Sequence, residues 1–449
     1  MPYPDLRAFL ADIEDDVLHI PGEIDPKFEI AALLRQTQSE GSAILCDNVK
    51  GYPDARVIGN LFSSRARTAK ALGTDEDHLN ETYLSAKTRH AEPIIFDGLA
   101  PVKEVVHKNP TDILELLPIL THYEKDAGPY ITSGVVFAKD PVSGRRAMGI
   151  HRMMVHGGNR LGIFLANPPL SVYLASAEQE GKPLEVAVAL GLDAATILAA
   201  VVKAGSAGPD KVEIAGGLRG LPLELTPAET IDLLIPARAE VVIEGRVLPG
   251  ERMPEGPFGE NTGYYFSDNS PVFEATAVLH RKDFIYSALC PWTTDVDNLL
   301  SLAAGTELLG QLQAQAHGIC DLELVTGTCG FTAIISVDSL KVSDVRRTIM
   351  LALGMDRRLK SVTVVDNDVD IRSPREVAWA MATRYQPDRD TLILENMEGY
   401  VIDPSVQGGS GSNIGFDATL KNRDENPMIA TPADADERAR QFVLQARSG

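Results

Sequence analysis

The chain has 449 residues, enough for two or three domains, and 44% of them are hydrophobic, ample for buried cores. Its 42 Lys and Arg stand against 63 Asp and Glu, a formal charge of −21. So acidic a surface argues against nucleic acid and anionic membrane as principal partners, whereas a local group of cations can still hold a small anionic substrate.

In the first hundred residues, 6–13 space their apolar side chains as an amphipathic helix does, and 30–34 suggest a second helix. Residues 42–46 and 56–59 read as short strands, giving an α/β module. From about 130 to 290 strands dominate. Residues 131–138 are a strand candidate, Asp140-Pro-Val-Ser-Gly144 is a turn, and 146–154 and 161–166 are strands joined by the hairpin signal His156-Gly-Gly-Asn159. Strands at 240–244 and 272–279 follow, and a helix-rich insertion at 170–203 interrupts the series. This pattern suggests a barrel-like sheet. After 300 come helix 299–315, strand 332–337, helix 342–353, strand 361–365, helix 375–383 and strand 391–394. That alternation predicts a mostly parallel, layered α/β domain. The tail from 427 on is polar and charged, either a short helix or partly disordered.

Cys46, Cys290, Cys320 and Cys329 contain no Cys-x-x-Cys pair, so neither a disulfide framework nor a zinc site is expected. The start, MPYPDLRAFLADIEDD, lacks a basic segment followed by an apolar core, so no signal peptide is expected. The most apolar run, 186–202, is broken by Gly191 and Asp193 and predicts a strand then a helix, not a membrane span. A reducing, cytoplasmic setting is the expectation.

GIHRMMVHGG, 149–158, sets Arg152 between His151 and His156. Strand alternation would put His151, Met153 and Val155 on one face, and Arg152, Met154 and His156 on the other. An Arg in so apolar a strand needs a partner or an edge facing water. EGPFGE, 255–260, reads as a Gly/Pro loop. Its glutamates are either solvated or a carboxylate pair beside Arg152. In the second case the carboxylate bonded to Arg stays ionised, and the less well paired one is desolvated and carries a proton near neutral pH. QGGSGSNIG, 407–415, lacks the ending of a P-loop and reads as a flexible loop or a mobile lid. AGSAG (204–208) and AGGLRG (215–220) read as turns and do not make a Rossmann fingerprint. Asp366-Asn-Asp-Val-Asp370 lacks the Gly and Glu of an EF-hand and reads as an acidic loop. Trp292 is a core residue or a pocket wall, and Cys290 has no neighbouring His to activate it.

Taken in order, GIHR, PLEVAVALGLDAATILAA (183–200), AGGLRG, EVVIEG (240–245), PEGPFGENTGYY (254–265), VDNDVDIRSPREVAWAMATRYQPDRDT (365–391) and GFDAT (415–419) resemble the UbiD-type decarboxylases over nearly the whole chain. The resemblance implies a mixed α/β fold: an N-terminal α/β domain (1–115), a central split β-barrel that binds flavin (116–300), and a C-terminal layered α/β domain (301–449) that forms a homodimer or larger homo-oligomer. It implies prenylated FMN as cofactor, a flavin prenyltransferase as its supplier, and a small carboxylic acid as substrate. Its Glu–Arg–Glu network falls on Glu255, Arg152 and Glu260, with Arg152 and Glu255 paired at the cofactor and Glu260 as proton donor. Ile150, His151, Met153, Lys211 and Glu213 are the other positions expected against the cofactor.

The usual metal-ligand positions carry Ala147, Pro168 and Lys211, which argues against bound manganese or magnesium and against potassium. Lys211 is expected to replace the metal's charge at the phosphate. Asn413 stands where relatives often have a lysine. Trp292, Leu299 and Leu300 are the expected substrate walls. Residues 283–316 contain no Arg, Lys or His, which favours an aromatic, heteroaromatic or α,β-unsaturated monoacid. The expected activity is a non-oxidative, reversible decarboxylation. The alternatives are a catalytically silent flavin-binding or assembly subunit, and an enzyme using unmodified FMN for redox chemistry.

Overall fold

The computed structural model describes residues 3–448 except 87, 204–207, 339–340, 423–424, 426–428 and 430. Residues 204–207 of AGSAG, and 427, 428 and 430 of the tail, lie outside the described residues. Ala433–Ser448 of the tail is a helix. Among the described residues no helix is long and apolar enough to cross a membrane.

The N-terminal sheet begins with Val17–Ile20, Ala43–Cys46 and Ala55–Gly59. Its fourth strand, Phe284–Ser287, returns from the far end of the chain's middle third and lies parallel to Ala55–Gly59. All four of its residues are buried, so it stitches the first body to the second.

The central sheet has nine strands, and every pair in it is antiparallel. Its backbone is the pair Val241–Gly259 and Tyr265–His280. Leu184–Leu190 runs alongside, with six of its seven residues buried, as a strand covered on both faces requires. The order ends with Arg146–Ile150 at one edge and Tyr130–Ile131, paired to Met153–Gly157, at the other. The chain itself crosses that split at His151 and Arg152.

Two local expectations fail here for one reason, a change of pairing partner. The strand expected over 146–154 is two strands. Up to Ile150 it pairs with Val135–Lys139, and from Met153 it pairs with Ile131 and Ile163. Between them His151 N donates to Gly134 O and Phe164 N donates to Arg152 O. The alternation of faces therefore does not run through Arg152. EGPFGE is not a free loop but the end of the 19-residue strand Val241–Gly259, whose three register shifts absorb the glycines and prolines. Gly256 has φ +104°, and a Cβ there would lie 2.6 Å from Phe266 O, so only glycine fits.

Other local patterns hold. The 186–202 run is the strand Leu184–Leu190 followed by the helix Ala194–Ala200, capped by Asp193. AGGLRG, read as a turn, instead lies mostly within the helix Lys211–Arg219, and Gly220 closes it in the left-handed conformation.

The C-terminal sheet runs in the order Ile319–Leu324, Thr332–Val337, Ser361–Asp366, Ser410–Ala418, Thr391–Glu398. Its two inner pairings are parallel and its two outer ones antiparallel, so it is less parallel than the alternation suggests. The glycine-rich stretch expected as a flexible loop or a mobile lid enters an inner strand of this sheet. Its Gly415 lets the helix Val342–Met355 close down: a Cβ there would meet Ile349 Cγ2 at 2.1 Å. Gly415→Ala is expected to destabilise the chain by about 1–3 kcal/mol through overpacking, seen as a lower denaturation midpoint. The acidic loop after Ser361–Asp366 holds Arg384, at 2.8 Å from Asp366 and 2.9 Å from Asp368.

Candidate active site

Arg152 sits where the central sheet is split, and its guanidinium meets both glutamates of EGPFGE. Its Nε and Nη2 donate to the two carboxylate oxygens of Glu255 at 2.9 and 2.8 Å, a fork that fixes both groups. Nη1 donates to Glu260 Oε1. Rings cover the cation: its central carbon lies 4.1 Å from the centroid of Phe164, 5.0 Å from Phe258 and 5.5 Å from Phe266. Glu255 is 1% exposed and Glu260 9%, which decides against the solvated-loop reading.

The two carboxylates are not equivalent. Glu255 holds both arms of the fork, and Glu260 receives only one N–H of the guanidinium. Burial pushes the Glu260 carboxyl above its ordinary range. Arg152 and the Asn261 N–H pull it back, and the Glu255 charge pushes it up again. The Arg152 charge is opposed by its own burial, and the bond to Glu255 and the charges of both glutamates outweigh that cost.

The turn that carries Glu260 is anchored from elsewhere in the chain. Asp126 accepts from Gly259 N at 2.9 Å, Tyr123 N at 2.9 Å and His122 N at 3.1 Å. Glu260 N in turn donates to Tyr264 O at 2.9 Å. Tyr123 lies so close that a Cβ on Gly259 would be 2.3 Å from its ring. Asp126→Ala would strand three N–H groups and is expected to cost about 3 kcal/mol. Faster hydrogen exchange at the Gly259 amide is the local signature to measure. His122, beside this anchor, is buried and held neutral, its pKa pushed down to about 3 by burial.

The remaining expected positions divide. His151 Nδ1 donates to Phe164 O at 2.8 Å, and burial lowers its pKa to about 4, so it is neutral. Lys211 is 8% exposed at the start of its helix and donates to Ala200 O at 2.9 Å. Burial lowers its pKa to about 8, and its charge reaches His151. Glu213 turns to Arg146 at 3.7 Å and His90 at 3.6 Å. Ile150 is partly buried, and Met153 is packed in the apolar core. Ala147 is buried opposite Ala138, and Pro168 lies exposed on the loop before the helix Leu170–Gln179. No group of three or more His, Cys, Asp or Glu among the described residues could hold a metal.

Trp292 is 52% exposed and flanks the turn after Glu260, its backbone N–H donating to Asn261 Oδ1 at 3.2 Å. Leu300 is also exposed, but Leu299 is buried in the core and is not on that surface. Burial pushes the Cys290 thiol up to about 12, so it is not a nucleophile. Sequence reasoning missed Asp126, the three Phe rings and Cys329, whose Sγ meets Asn261 O at 2.9 Å. Phe258 and Phe266 flank Glu260 closely enough in sequence to be found. Asp126, 133 residues from Gly259, carries no such signal.

Three family models match in order. They are the N-terminal, Rift-related and C-terminal domains of 3-octaprenyl-4-hydroxybenzoate carboxy-lyase, over residues 10–87, 95–293 and 297–418. The anhydromevalonate phosphate decarboxylase of Methanothermobacter thermautotrophicus is 33% identical over 417 residues, covering 92% of this chain and 96% of that protein. Among solved structures, the UbiD-class enzyme HmfF from Pelotomaculum thermopropionicum in complex with FMN superposes with a TM-score of 0.92 at 36% identity, covering 96% of this chain and 98% of its own. The apo 3,4-dihydroxybenzoic acid decarboxylase of Klebsiella pneumoniae gives a TM-score of 0.90 at 29% identity, covering 95% and 96%.

Proposed function

Because the chain belongs to the UbiD family of carboxy-lyases, we propose that it decarboxylates an unsaturated monocarboxylic acid with prenylated FMN and uses Glu260 as the proton donor. The observation that carries this reading is the buried fork of Arg152 on Glu255, with Glu260 held on the third arm and its carboxyl raised.

The ring end of such a cofactor fits the residues present. The Glu255 charge reaches Tyr130 and His156, and Tyr130 Oη, His156 Nε2 and Thr262 Oγ1 are buried without a hydrogen-bond partner among the described residues, leaving polar atoms for a polar ring system to satisfy. The phosphate end fits without a metal. Ala147 and Pro168 offer no ligand, while Lys211 offers a cation with two N–H donors beyond its bond to Ala200 O. Arg152, His151 and Lys211 would hold the cofactor, with the Ile150 backbone beside them; the placement of Glu213 and Met153 argues against them. When bound, the cofactor supplies an electron sink for the pair left by departing carbon dioxide.

The chain's own residues do the rest. Arg152 is held in one orientation by the Glu255 fork and the Phe rings. Glu260 carries its proton closer to neutral pH than an exposed glutamate does, and delivers it from Oε to the carbon that has lost carbon dioxide. In the reverse direction it takes that proton back. Trp292 and Leu300 offer apolar surface beside the turn. The absence of cations in 283–316 favours a monoacid body there.

Protein co-expressed with a flavin prenyltransferase tests the proposal by mass spectrometry, absorption and metal analysis. Prenylated FMN is expected to co-purify with no stoichiometric manganese or magnesium. Protein free of flavin would overturn the decarboxylase reading and favour a silent assembly subunit. Bound unmodified FMN alone would favour redox chemistry, and a full equivalent of metal would overturn the role of Lys211.

A further inference from the structure

A cavity of about 210 Å³ lies away from Arg152, between the N-terminal helices Arg65–Ala71 and Leu79–Ala86, the helix Thr294–Gln315 and the strand Ile319–Leu324. Its charged lining is two guanidiniums, Arg65 and Arg372, and one carboxylate, Glu323. Arg372 is compensated: its Nη1 donates to Asp321 at 2.6 Å, and its Nε lies 3.2 Å from Glu323. Arg65 is not. Among the described residues it makes two bonds, from Nε to Glu76 O at 3.3 Å and from Nη2 to Asn80 Oδ1 at 3.1 Å, and no carboxylate lies within ion-pair distance. Its Nη1 makes no hydrogen bond among the described residues. The charges of Glu323, Asp321 and Glu76 act on Arg65 from beyond ion-pair distance and do not outweigh its burial and the repulsion of Arg372, so an anion in direct contact would be favoured.

The rest of the lining is amphipathic. Leu79, Leu302, Leu322 and Leu324 form an apolar floor, and Ser301 and Asn298 stand at the side. A bare inorganic anion would leave that floor unused. A molecule with a carboxylate at one end and an apolar body at the other would use both.

We propose that this interdomain cavity binds a small organic acid, its carboxylate on Arg65 and its apolar body on the four leucines. The place gives such binding a consequence. Thr326 lines the cavity, Gly327 N donates to Asp297 at 2.5 Å, and Cys329 of the same segment meets Asn261 O beside Glu260. An occupant would tie Ile319–Leu324 to the helix Thr294–Gln315 and steady the segment that abuts the active-site turn. Binding here requires neither the flavin nor Glu260.

Calorimetric titration with benzoate, and separately with inorganic phosphate, tests the proposal on the full chain without cofactor. Benzoate is expected to bind saturably, and to slow hydrogen exchange in 322–329. Arg65→Leu is expected to weaken it by about tenfold or more, the loss of one charge-assisted contact. Ser301→Phe, which fills the cavity from a half-buried helix position, is expected to do the same and serves if Arg65→Leu fails to fold. No benzoate binding, or binding unchanged in both variants, would overturn the proposal. So would phosphate binding as tightly as benzoate, since the apolar floor would then contribute nothing.

Discussion

Glu260→Gln is expected to lower turnover by about 10²–10⁴-fold, the usual contribution of a positioned general acid. The amide keeps the size of the side chain and an oxygen to accept from Arg152 Nη1, so the fold and the flavin spectrum should survive. Loss in kcat with little change in KM would mark a group acting in the transition state rather than in binding. The pH dependence has a definite sign. In the proposed mechanism protonated Glu260 is the active form, and its pKa is raised above the ordinary carboxylate range by burial. Decarboxylation should therefore fall as pH rises through that raised value, and this limb should be missing from whatever activity the Gln variant retains. A variant with unimpaired turnover would remove Glu260 from the mechanism.

Arg152→Ala is expected to cost about 3–5 kcal/mol of stability as well as all activity, because it strands a buried charge. Glu255, 1% exposed, loses both arms of its fork at once. Denaturation midpoints at neutral pH measure the loss. Arg152→Lys should rescue little, since an ammonium cannot reproduce a planar fork sandwiched between Phe rings. A midpoint for Arg152→Ala equal to that of the parent at neutral pH would show that the ion pair does not hold the split in the sheet.

Much of this molecule is legible along the chain. The helices Thr294–Gln315, Val342–Met355 and Pro374–Arg384 and the strands Thr332–Val337 and Ser361–Asp366 appear where periodicity puts them, because each is a run whose neighbours in sequence are its neighbours in space. The hairpin at His156–Asn159 follows from two glycines that both have positive φ. The order of motifs shared with the family pointed to the pairing of Arg152 with the two glutamates; spacing alone left them either as a solvated loop or as a carboxylate pair beside Arg152. The misreadings cluster at glycine. EGPFGE and QGGSGSNIG both carry loop-forming residues, yet most of each lies in a strand, because a bulge or a close packing partner elsewhere in the chain needs glycine there.

Composition, local periodicity and the ordered motifs were enough to establish the class of fold, the family and the two residue types at the centre of the chemistry. Only the tertiary structure decided which glutamate holds the fork, that Asp126 anchors the turn of Glu260, that Phe284–Ser287 completes the first sheet, and that Arg65 has no carboxylate at ion-pair distance among the described residues. The physical reason is distance along the chain. Arg152 and Glu255 are 103 residues apart, and Asp126 and Gly259 are 133 apart. Burial, which raises one carboxyl and leaves one arginine short of an anion, depends on what such remote segments bring together.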